Sequence, residues 1–177
     1  MKIKYNNIIT ENDEIMFEYA KEFVFNGLNQ KQVYDKLTLD LRRYKSKRYG
    51  ISLVGLFEVH KENDFSPKIY LYDYGIKLLF NTYILSGYKC IKTLEQYRYH
   101  VLFHELAHLI STYNLEPVKY EEYINNRESI FDQNDEDNVN SMAIRFLLDK
   151  GVINDGGVLN DESDSEKKWW QLVLYRQ

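Results

Sequence analysis

The segment from Thr93 to Thr112 constrains the fold of this chain more than any other. Thr93-Leu94-Glu95-Gln96 is a capping-box pattern, in which the threonine hydroxyl takes the N–H of residue 96 and the glutamine side chain reaches back to the N–H of residue 93. The helix it opens is expected to start near Leu94 and to run to about Thr112. Leu94, Tyr97, Val101, Leu102, Leu106, Leu109 and Ile110 spread over so much of its surface that the helix has to be buried between a sheet and further helices. An α+β domain follows, with a small sheet packed against this helix.

The same segment contains His104-Glu105-Leu106-Ala107-His108, the pattern H-E-x-x-H. Residues four apart share one helix face with Cβ atoms about 6 Å apart, so His104 and His108 can turn imidazole nitrogens toward one ion while Glu105 stands beside it. Zinc hydrolases are built in this way. Two histidines hold Zn2+ as a Lewis acid, and the glutamate takes a proton from the attacking water. His100 lies one turn earlier on the same stripe, but three successive turns cannot converge on one ion. It is read as packing, or as support for a ligand.

A catalytic zinc takes three protein ligands and keeps a fourth position open. No histidine follows His108, and the downstream glycine and histidine of the extended metzincin pattern are absent. The third ligand is therefore sought among Glu116, Glu121, Glu122, Glu128, Asp132, Asp135, Glu136 and Asp137. Glu136 is assigned, because it opens a helix that continues through Val139, Met142, Ala143, Phe146, Leu147 and Leu148. Asn140, four residues on, could hold a ligand imidazole by its free N–H. Asp135, Asp137 and the carboxylates of the preceding loop stay open as alternatives, as does a Tyr or Asn ligand. Tyr113 is one candidate oxyanion donor among many tyrosines, and His60, at the end of an expected strand, is read as a surface residue.

Elsewhere the pattern gives a single domain over residues 1–177: a helical part over 1–49, a catalytic core over 50–150, and a loop with a C-terminal segment over 151–177. Residues 12–26 form an amphipathic helix. A second helical pattern from Asn29 carries Val33, Leu37, Leu39 and Leu41 toward the basic run Arg42 to Arg48, read as a solvated helix end. Ala20 to Leu37 makes a packed two-helix hairpin. Ile51 to His60, Lys68 to Asp73, Ile76 to Asn81 and Tyr83 to Leu85 read as extended segments, giving a mostly antiparallel meander. Residues 114–134 read as a polar loop with a short acidic helical piece, bordering the substrate cleft. Gly151 to Asp164 is a mobile loop, and a second capping box at Ser163 introduces a helix bearing Trp169 and Trp170.

A composition of 44% hydrophobic and 28% charged residues suits a soluble domain with a sizeable core. The formal charge of −4 argues against a surface that grips nucleic acid throughout, and no direct nucleic-acid contact is expected. One cysteine, Cys90, excludes an intramolecular disulfide. No apolar leader core opens the chain and no run approaches the roughly 18 residues of a membrane span, so a cytoplasmic protein without a membrane partner is expected.

Val101 to Ile110, Glu136 to Leu148 set against E-x-x-A-N-x-F-A-x-x-L-L, and the expected strand ending Leu79-Phe80-Asn81 together resemble the ImmA/IrrE-type zinc metallopeptidases of bacterial integrative elements, phages and stress-response operons. The resemblance spans residues 50–150. It departs at Val139, where the family tends to alanine, at Met142, where it tends to phenylalanine, in lacking a proline after Leu148, and in the long gap between His108 and Glu136. It implies a zincin-like metallopeptidase domain that cleaves a protein substrate, often a DNA-binding repressor, and so relieves repression. With Zn2+ on His104, His108 and Glu136 and with Glu105 as base, substrate is expected to lie extended along an exposed strand of the 68–81 region. The alternative is a catalytically silent zincin-fold module, of binding or toxin–antitoxin type, that recognises a partner protein through the sheet edge.

Overall fold

A computed structural model describes residues 1–5, 11–45, 54–59, 65–85, 90–115 and 133–154. Along the chain these form β1 (Lys2–Tyr5), α1 (Glu11–Gly27), α2 (Lys31–Lys36), β2 (Thr38–Tyr44), β3 (Gly55–Glu58), β4 (Lys68–Tyr72), α3 (Asp73–Leu85), α4 (Leu94–Asn114) and α5 (Gln133–Asp149). The architecture is α+β, with one mixed sheet of four strands among the described residues. Strand order is β1-β2-β4-β3. β1 and β4 both run parallel to β2, and only β3 is antiparallel to its neighbour β4.

The expected mostly antiparallel meander is thus corrected. Only its first hairpin exists, Phe57 facing Ile69 and Glu58 facing Lys68. The segment 76–81, with Leu79-Phe80-Asn81, belongs to helix α3. Six residues, four of them apolar, are too few for periodicity to separate strand from helix, and the acid at Asp73 in the first turn favours the helix. The second helical pattern also stops early. Val33 lies in the six-residue α2, but Leu39 and Leu41 alternate with Thr38 and Asp40 and are the inward residues of β2. Arg43, expected as part of a solvated helix end, turns inward from β2: its Nε lies 2.9 Å from both carboxylate oxygens of Asp73. Arg98 of α4 approaches the same carboxylate at 3.4 Å and Asp13 of α1 approaches the Arg43 guanidinium at 3.8 Å, joining four elements in one partly buried network.

Leu39, Leu41, Ile69 and Leu71 are buried apolar residues of the sheet, and α4 lies against β3 and β4. α4 also touches α1, α3 and α5, and 12 of its 21 residues are buried. The layering demanded by its apolar surround is therefore present. So is the capping box: Gln96 N–H donates to Thr93 Oγ1 at 3.1 Å, and Thr93 N–H donates to Gln96 Oε1 at 3.1 Å. At the other end Asn114 fixes α4 to the turn after α1, its Nδ2 donating to Gly27 O (2.9 Å) and its Oδ1 accepting from Asn29 N–H (2.8 Å). α1 meets α4 so closely at Gly27 that a Cβ would lie 2.5 Å from Ile110 Cδ1. Among the described residues no helix is long and apolar enough to cross a membrane.

Candidate metal centre

α5 crosses α4 with Val139, Ala143 and Leu147 buried one turn apart, and Phe146 stacks on Phe103 at 5.1 Å. That seam brings the opening turn of α5 over the middle of α4. His104 and His108, on successive turns of α4, place their Nε2 atoms 3.1 Å apart with rings nearly perpendicular. Glu136 spans the pair, Oε2 at 3.4 Å from His104 Nε2 and Oε1 at 3.3 Å from His108 Nε2. A tetrahedral zinc holds nitrogen and oxygen ligands at about 2.0–2.2 Å, which sets neighbouring donors about 3.3–3.6 Å apart. The donor set and its spacing fit such an ion, and these three residues form the one cluster of potential ligands found among the described residues.

The electrostatics agree with ligand duty for the carboxylate. Burial alone would raise the Glu136 pKa, but hydrogen bonds from His104 and His108 outweigh it and hold the group well below the usual carboxylate range. Glu105 behaves in the opposite way. Burial pushes its pKa up, Glu136 adds to the rise, and the two histidines with the backbone N–H of Phe57 counter it only in part. Gly55, two residues before Phe57 on β3, explains how the strand comes so near: a Cβ there would lie 2.4 Å from Glu105 Oε1. A glycine inside a strand pattern is a sign of such close approach, and it was the legible signal for this contact.

His100 is almost wholly buried, and its Nε2–H donates to Asn140 Oδ1 at 2.8 Å. The expectation that Asn140 would steady a ligand imidazole is corrected here, since its partner is His100. Burial, followed by the nearby His104, lowers the His100 pKa to about 4 although the Asn140 bond opposes the shift.

The chain matches no family model, no curated protein and no solved structure. The centre is accordingly described by its own geometry. Asp137 is not part of the ligand cluster, whereas the Asp135 side chain, His60 and the carboxylates at 116, 121, 122, 128 and 132 lie outside the described residues, as do the acidic helical piece and the C-terminal tryptophans. Tyr113 stacks on Phe65 at 6.4 Å. β4, the strand expected to receive substrate, has β2 on one side and β3 on the other and therefore offers no edge.

Proposed function

We propose that this chain is a zinc-dependent endopeptidase of the ImmA/IrrE type, acting in the cytoplasm on a regulatory protein such as a DNA-binding repressor. The observation that carries the reading is the convergence of His104, His108 and Glu136 from two helices at 3.1–3.4 Å, with a buried glutamate directly following the first histidine. Zinc bound there would supply Lewis acidity and a water whose pKa falls toward about 7. His104 and His108 would hold the ion, and Glu136 would neutralise part of its charge. Glu105 takes a proton from the attacking water and passes it to the departing amine. The strand nearest Glu105 is β3, an edge of the described sheet. The proposed path of an extended substrate segment therefore runs along β3, where main-chain hydrogen bonds would hold it beside the base.

Metal analysis of purified protein after zinc-replete expression should find stoichiometric zinc in the wild type and in Glu105→Gln, and a large loss in His104→Ala. Glu105→Gln, used as bait, should retain a protein that the wild type then cleaves. A wild type without zinc defeats the reading. A captured partner that the zinc-loaded wild type never cleaves would instead favour the silent binding module.

A further inference from the structure

The bond between a buried His100 and a half-buried Asn140 lies outside the three-ligand cluster, yet it joins the same two helices. We infer that this pair is the register clamp that sets Glu136 against His104 and His108, so that both are positioning residues for the metal centre. The inference rests on the metal-site reading above.

Polar contacts between the helices form a ladder. Glu136 meets His104 and His108, Asn140 meets His100, and Val152 O, just beyond α5, accepts from Gln96 Nε2 at 2.8 Å. Positions fall along α4 as they rise along α5, so the helices run antiparallel, and Asn140 is the residue one turn from the ligand. The rest of the seam is apolar, with Val139, Ala143 and Leu147 buried beside it. Apolar contacts are non-directional and tolerate small slides and rotations, whereas a hydrogen bond of 2.8 Å between two short side chains does not. A rotation of α5 by one residue is about 100°, which would carry Glu136 off the histidines altogether. Even a fraction of that turn would spoil the spacing of a three-ligand site. Asn140 and Glu136, at i and i−4, share one face of α5, so fixing the first limits the swing of the second.

A bond that merely stabilised the seam could be replaced by a well-packed apolar pair, because removing both partners of a buried hydrogen bond can be nearly neutral. A bond that sets register could not. The test is therefore His100→Leu/Asn140→Leu beside Asn140→Ala and wild type, with full-length protein, zinc alone as probe, Kd from competition with a chromophoric chelator, and thermal unfolding of the metal-free chains. The double variant should regain most of the Tm lost by Asn140→Ala while its zinc affinity stays at least about 10-fold below wild type. Cobalt(II) substituted for zinc should show an altered visible spectrum in the same variant. Wild-type zinc affinity and an unchanged cobalt spectrum in the folded double variant would overturn the clamp while leaving the metal centre intact. Should the double variant fail to fold, the same readouts on His100→Gln, which keeps a polar partner for Asn140 at altered reach, decide the matter: undiminished affinity there overturns the clamp. A wild type that takes up no zinc overturns the metal centre, and the clamp with it.

Discussion

Replacing Gly55 by alanine should drive β3 into Glu105. The added Cβ would lie 2.4 Å from Glu105 Oε1 and 2.9 Å from both Glu105 Cγ and Val101 Cγ1. Non-bonded carbons rest about 3.5–4.0 Å apart, so each carbon contact is short by about 0.6 Å or more and the oxygen contact is shorter still. Forcing a methyl into so tight a place costs about 1–3 kcal/mol. Against this, Gly55 does not have a positive φ, and alanine removes unfolded-state freedom worth about 0.4–1 kcal/mol. The net expectation is a loss of about 1–2 kcal/mol. In a Glu105→Ala background two of the three collisions vanish, leaving one valine methyl that can yield, and Gly55→Ala should then be close to neutral. Urea unfolding of the four metal-free proteins gives the coupling directly, since the backbone term and the separate cost of losing Glu105 cancel in the cycle. A coupling of at least about 1 kcal/mol is expected. If Gly55→Ala costs the same in both backgrounds, within about 0.5 kcal/mol, the proposed close approach of strand and base is refuted. Under the proposed zinc-peptidase function, the same substitution should lower cleavage by up to about 100-fold at unchanged metal content, because a shift of about 1 Å in a reacting group has that effect.

Two further outcomes follow from contacts outside the ligand set. Asn114→Ala removes both hydrogen bonds that tie the end of α4 to the turn after α1, and should lower stability by about 1–3 kcal/mol with the urea m-value unchanged; a loss under about 0.5 kcal/mol would mean that the turn holds itself. Because burial lowers the His100 pKa to about 4 while an unfolded histidine titrates near 6.5, the unfolded chain binds more protons than the native one between those values. Stability of the metal-free protein should therefore fall as the pH drops through that window, by up to about 3 kcal/mol from this group, and His100→Leu/Asn140→Leu should flatten the slope. Denaturant midpoints at neutral pH and at about pH 5 measure it, and an equal slope in both proteins removes His100 as its source.

The long helices were legible because each carries enough turns for the 3.6-residue period to show: α1, α4 and α5 lie where the apolar spacing puts them, and the Thr93 cap opens α4 as expected. Short elements were not. Leu39 and Leu41 continue the series Val33, Leu37 only by a change of step from four residues to two, and that change is the boundary between α2 and β2. Lys2–Tyr5 carries two exposed lysines and becomes a strand through its pairing with Thr38 to Leu41, a long-range fact that four residues cannot announce. At the centre, Glu136 was reachable from its place at the head of an apolar helix. The partner of Asn140 was not, because it depends on the direction in which α5 crosses α4. Once the helices are antiparallel, a residue one turn after Glu136 must face one turn before His104, and that position is His100.

The separation of the candidate ligands along the chain gives the centre a second consequence. His104 and His108 sit in the middle of the most buried helix, while Glu136 arrives on the last described helix. An ion gripped by both would tie off a loop of about 28 residues, and denying that freedom to the unfolded chain is worth about 3–4 kcal/mol on polymer grounds. The site would then behave as a cross-link, a metal counterpart of the disulfide that a chain with a single cysteine cannot form.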